Sequence, residues 1–212
     1  MTTDARDSAE VAALRAAIPA ADTTGGRTLV AGIGNIFLGD DGFGVEVVRR
    51  IDPASLPPGV DVADYGIRGV HLAYELLSGR YTTVVMVDAA PLDAPPGTLA
   101  IIDLDVDGCP PPPASTEAGP ARPGFDAHSL HPEAVLTLLH TLGGRLARAV
   151  VVGCRPAVLA ESSGLSAPVR AALDEATAMV SRAIEIVRAE PGVPRPGTTS
   201  PPSESEKRRH VR

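Results

Sequence analysis

The sequence predicts an α/β domain in which helices cover both faces of a sheet. Two observations carry that expectation: short runs of β-type residues alternate with segments of helical periodicity, and the hydrophobic content of 44% is mostly Ala, Val, Leu and Ile. A third is length, since 212 residues suffice for one well-buried domain and fall short of two large ones.

The elements follow in order. Residues 28–33 form a first strand, followed by a helix over about 42–51. Residues 60–64 make a second strand and 70–77 a short helix. The third strand, 83–87, is separated from the fourth, 98–102, by only about ten residues. A link that short does not carry a helical crossover, so the fourth strand is expected to run antiparallel to the third. A Pro- and Gly-rich loop over about 106–127 is longer than structural connections usually are, which marks it as functional, mobile or both. A helix near 132–142 leads into the fifth strand, 149–152. The last helix begins near Ser166 and carries Val169, Leu173, Ala176, Val180, Ile184 and Val187 at three- and four-residue steps, so one apolar face packs on the sheet.

The domain is bounded at 27–190. Before it, residues 1–26 read as a flexible extension with one short helical pattern and a Thr-Thr-Gly-Gly linker. After it, residues 191–212 are rich in Pro, Ser and charge, a composition that buries too little apolar surface to order itself. The basic cluster Lys207 to His210 is read as a solvated tail.

Composition excludes several functions. A net charge of -7 opposes binding to nucleic acid or anionic membrane, and with aromatics at 3% and no Trp there are few platforms for stacking on bases. Cys109 and Cys154 stand in unrelated settings without CxxC spacing, so neither a disulfide framework nor a zinc signature is expected. The first residues lack a basic start followed by an uninterrupted apolar stretch, and a cytoplasmic location is expected.

Three junctions carry chemistry. The segment Gly32-Ile-Gly-Asn-Ile-Phe-Leu-Gly-Asp-Asp-Gly-Phe-Gly44 lies where a buried strand meets a helix, but Phe37 stands where a dinucleotide fingerprint needs its third glycine. It offers two adjacent acids instead, Asp40 and Asp41, one of which suffices as a helix cap. The run Val84-Val-Met-Val-Asp88 ends in a carboxylate at the carboxyl end of a strand, on the edge where open α/β sheets gather ligands. Asp126-Ala-His-Ser-Leu-His-Pro132 closes the long loop, with His128 at a loop-to-helix junction; His71 and His140, inside helical patterns, are read as polar surface. Two Asp and one His from separate junctions suit a divalent metal ion. No HExxH motif and no Ser-His-Asp arrangement is present.

Taken together, these segments resemble the hydrogenase maturation protease family: Gly-Ile-Gly-Asn with Asp-Asp-Gly-Phe-Gly, Val-Asp-Ala at 87–89, Pro-Gly-Thr at 96–98, and Ala-His-Ser-Leu before a helix. Val152-Gly-Cys-Arg-Pro156 and Gly164-Leu-Ser166 are similar to the family's last strand and the entry to its last helix, and the likeness runs from about Arg27 to Arg188. The resemblance implies a three-layer α/β/α sandwich with a mostly parallel five-stranded sheet. It implies metal contacts at Asp41, Asp88 and His128, which with Asp40 make the candidate catalytic set. It also implies substrate recognition in Asp64-Tyr-Gly-Ile-Arg-Gly69, where Gly66 and Gly69 permit close backbone approach and Arg68 can bind a carboxylate or backbone oxygen; a turn leading into a helix explains the same residues.

The activity so implied is removal of the C-terminal extension of a [NiFe] hydrogenase large-subunit precursor after nickel insertion, with the nickel contributed by the substrate and the protease a monomer. Asp40 is left as an acid, a base or a cap. Two other functions compete: a nonproteolytic metal-sensing chaperone of the same subunit, and a metal-dependent hydrolase of small substrates.

Overall fold

The computed structural model describes residues 26–106 and 131–189. Both tails and the long loop, with Asp126, His128 and Cys109, lie outside the described residues. Within them the chain runs β1 (Arg27–Ile33), α1 (Phe43–Val48), β2 (Val60–Gly66), α2 (Gly69–Leu77), β3 (Tyr81–Ala89), β4 (Leu99–Leu104), α3 (Pro132–Thr141), β5 (Arg148–Cys154), α4 (Ala167–Ala171) and α5 (Leu173–Arg188). Short 3-10 turns at Gly39–Gly42 and Pro53–Ser55 precede and follow α1.

The sheet has the order β2-β1-β3-β5-β4. β1 pairs in parallel with both β2 and β3, and β3 pairs in parallel with β5. β4 runs against the rest, as its short connection requires, but its neighbour is β5 rather than β3. The fifth strand slots between the two, bringing its own register into contact with both: Asp88 stands beside Gly153, and Leu99 beside Cys154.

The central strands are apolar on both faces because both faces are covered. Side chains alternate accordingly. Leu29, Ala31, Val84, Met86 and Val151 join Leu72, Leu76 of α2 and Val135 of α3 in one core layer. Val30, Val85, Val87, Val150 and Val152 join Phe43 and Val47 of α1 and Val180, Ile184 of α5 in the other. The expected last helix is two helices: α4 and α5 meet at Ala172, the C-cap of one and the N-cap of the other. The apolar positions noted from sequence nevertheless fall in one layer, from Val169 to Val187.

One close approach sets the geometry at the end of the sheet. A Cβ on Gly44 would lie 2.0 Å from the Val87 carbonyl oxygen and 2.4 Å from that of Ile33. The first turn of α1 therefore rests backbone to backbone on the carboxyl ends of β1 and β3, and any side chain at Gly44 would lift it away. Phe43 beside it is wholly buried, a contribution of about 2 to 3 kcal/mol.

Candidate functional site

Successive connections from β1 leave in opposite directions: the chain goes first to β2 on one side, then to β3 on the other. Such a reversal opens a crevice above the carboxyl ends of β1 and β3. Asp41 reaches it from the 3-10 turn after β1, and Asp88 from the end of β3. Both line a cavity of about 200 Å³ with Gly34, Asn35, Gly66, Ile67, His131 and Leu159. Both also line an adjoining cavity of about 390 Å³ on the β5 side, together with His131, Glu133 and Arg155.

Local structure aims Asp41. Its Oδ2 accepts the Asn35 N–H at 2.6 Å, while Asn35 Oδ1 accepts the Phe37 N–H at 3.0 Å, folding the 35–41 segment back on itself. Gly34 makes this possible: its φ is +122°, and a Cβ there would lie 1.8 Å from the Asp41 carbonyl oxygen. The Gly34 N–H also donates to the Gly66 carbonyl at 3.1 Å, joining the ends of β1 and β2 under the cavity.

Asp88 is 7% exposed and accepts one hydrogen bond, from the Ala89 N–H at 2.8 Å. Burial, then the negative charge of Asp41, pushes its carboxyl up to about 8, with Glu133 adding to the rise and the Ala89 N–H opposing it. Asp88 therefore keeps its proton to a higher pH than an ordinary carboxyl does. Among the described residues no arginine contributes to its titration.

Asp40 is placed otherwise. Its side chain is wholly buried, and its two oxygens accept the N–H groups of Ala157, Val158 and Ser166 and the Ser166 hydroxyl at 2.7 to 2.9 Å. Burial pushes its carboxyl up, but these donors more than offset that and hold it below its ordinary value. Asp40 accepts from no free N–H in the first turn of α1 or α4; it holds Ser166, the N-cap residue of α4, by its N–H and hydroxyl. The two adjacent acids thus face different partners, Asp40 the 157–166 loop and Asp41 the crevice.

Of the recognition residues named from sequence, Gly66 lines the smaller cavity with φ +51°. Arg68 is the N-cap residue of α2 and lines a neighbouring groove, its guanidinium donating to the Asp64 and Tyr65 carbonyls. Gly69 is buried as the first residue of α2. Sequence reasoning missed His131, Arg155 and Leu159. For His131 the three-residue spacing from His128 was the available signal; for the other two nothing local distinguishes them from loop residues. Cys154 is a buried free thiol, pushed up to about 11 by burial and Asp40, and so is no nucleophile.

A three-layer α/β/α sandwich with paired carboxylates in its switch-point crevice defines the class of protein. The chain belongs to the hydrogenase maturation proteases, which are peptide-bond hydrolases: residues 45–183 match that family. A Methanocaldococcus jannaschii protein assigned to the same family is 34% identical over 155 residues, spanning 72% of this chain and 92% of its own. Among solved structures, a hydrogenase 2 maturation peptidase from a Thaumarchaeota archaeon is 32% identical with a TM-score of 0.54, covering 76% of this chain and 99% of that one. The Escherichia coli hydrogenase maturating endopeptidase HybD is 26% identical with a TM-score of 0.57, over 76% and 94% of the two chains. The role of this protein is accordingly in hydrogenase maturation. No helix among the described residues is long and apolar enough to cross a membrane.

Proposed function

We propose that this chain cleaves the C-terminal extension from a [NiFe] hydrogenase large-subunit precursor once nickel has been inserted. The observation that supports this most is the pairing of Asp41 with Asp88, two acids in one crevice, where burial and the charge of Asp41 hold the Asp88 carboxyl up and no arginine among the described residues acts against that. A divalent ion brought by the substrate supplies the missing positive charge, and oxygen ligands together with the imidazole of His128 suit it. In this reading a precursor without nickel brings no cation to these two acids, so the site distinguishes loaded from unloaded substrate.

Hydrolysis adds the oxygen of a water to the scissile carbonyl carbon, breaks the C–N bond and leaves an amine that must gain a proton. Nickel bound between substrate and protease polarises that carbonyl or the water. The water loses a proton as its oxygen bonds to the carbonyl carbon, and a carboxylate of the crevice, Asp41 or Asp88, would take up that proton and pass it to the departing amine as the C–N bond breaks. Gly66 and Gly34 keep the crevice floor free of side chains, so the substrate backbone approaches closely.

The test is incubation of the purified chain with its large-subunit precursor, with and without nickel, followed by intact-mass measurement. Loss of a C-terminal peptide from the nickel-loaded form alone is the expected result. Unchanged mass in both, with binding retained, would make the protein a chaperone of that subunit instead.

A further inference from the structure

Arg155 is the first residue beyond β5, and its backbone is fixed on both sides. Its N–H donates to the Thr98 carbonyl at 2.9 Å, and its own carbonyl accepts the Gly97 N–H at 2.8 Å. The guanidinium, by contrast, has no hydrogen-bond or ion-pair partner among the described residues, whereas Arg27, Arg49, Arg50, Arg80 and Arg148 all hold carboxylates. Arg155 is half-buried rather than free in solvent, and it lines the cavity of about 390 Å³ that continues from the crevice.

Asp41, Asp88 and Glu133 line that cavity together with His131, and among the described residues Arg155 is its only arginine or lysine; the remaining wall is mostly apolar, with Ile102, Val151 and Leu159. Its volume suits a few side chains of a bound peptide. A peptide's anionic groups are carboxylates, and a wall with three acidic residues disfavours them except beside the guanidinium. The planar fork of arginine matches a carboxylate with two parallel hydrogen bonds, and here it stands on a fixed backbone with no competing partner.

We propose, resting on the peptide-hydrolase reading above, that Arg155 is a specificity residue that binds a carboxylate of the substrate peptide inside this cavity. The carboxylate is an acidic side chain flanking the scissile bond or the chain terminus of the extension. Arg155 makes a cavity with three acidic residues accept one anionic group in one place, and so sets the register of the peptide across Asp41 and Asp88.

The experiment uses the full chain as wild type, Arg155→Met and Arg155→Lys. The probe is nickel-loaded large-subunit precursor in three forms: unmodified, with flanking acidic side chains changed to amides, and with its terminal carboxylate amidated. Arg155→Met is expected to raise KM for the unmodified precursor about 10- to 100-fold with kcat nearly constant, and Arg155→Lys to recover part of the loss. The penalty disappears for whichever precursor form lacks the bound carboxylate, which identifies its source. An unchanged KM, a fall in kcat alone, or an equal penalty on all three forms overturns the proposal. Binding is titrated in parallel. If the wild-type chain binds but does not cleave, the proposed function fails, while the same Arg155 dependence in the binding curve still decides the role of Arg155.

Discussion

Asp41 and Asp88 leave adjacent strands at the same edge of the sheet, and the charge of Asp41 bears directly on Asp88. The buried Asp88 carboxyl, 7% exposed, is pushed up to about 8, first by burial and then by Asp41. An acid buried next to another acid costs stability when both are charged, and the cation of the proposed function would offset that cost.

The pH dependence of stability follows. Asp88 binds its proton more tightly folded than unfolded, so its contribution is fully present below the unfolded value near 4 and is lost as pH rises through about 8. Asp88→Asn removes this dependence. Thermal melts from pH 5 to 9 are expected to show wild type losing ground steadily to the variant; parallel curves would refute the assignment.

Ion binding carries a matching signature. Because the Asp88 carboxyl is pushed up to about 8, nickel(II) titrated into the full chain at pH 7 is expected to release up to about one proton per ion bound. Calorimetry in two buffers of different ionisation enthalpy measures that number. Asp88→Asn abolishes the release, and Asp41→Asn abolishes processing of the precursor.

Asp40 gives the opposite result. Asp40→Asn sets an amide N–H₂ against donors that need acceptors, and is expected to cost about 2 to 4 kcal/mol of stability. The folded pKa of Asp40 is depressed, so its contribution is present above the unfolded value and lost as pH falls through the folded one. At a temperature where the variant is folded, kcat is expected to stay within about tenfold of wild type. A stable Asp40→Asn protein without activity would make Asp40 part of the chemistry.

Gly34→Ala tests the crevice floor. The new Cβ meets the Asp41 carbonyl oxygen at 1.8 Å at a φ of +122°, so the 35–41 turn must move. Strain of about 1 to 3 kcal/mol is expected in denaturant melts, with processing lost while secondary structure by circular dichroism is retained. Full activity would show that the Asn35–Asp41 hydrogen bond does not position the carboxylate.

Much of the fold was legible because its signals are local. The apolar runs at 84–87 and 149–152, the brevity of the 89–99 link and the spacing from Val169 to Val187 each predict an element from neighbouring residues alone. The break at Ala172 was not legible, since apolar spacing continues through it.

By itself the sequence picked out the candidates for chemistry: Asp41 in the turn after β1, Asp88 at the end of β3, and His128 beyond the described residues. It could not separate Asp40 from Asp41, because adjacent acids in one turn look alike until their partners are known. Those partners are 117 to 126 residues away for Asp40, whereas Asp41 accepts from Asn35 within its own turn and faces Asp88 at the end of the neighbouring strand β3. Only the tertiary structure decided that β5 enters between β3 and β4, and so carries the 157–166 loop to Asp40 and the unpaired guanidinium of Arg155 to the crevice. Periodicity reports which face of an element is buried, whereas electrostatics and hydrogen bonding depend on which distant elements are brought together.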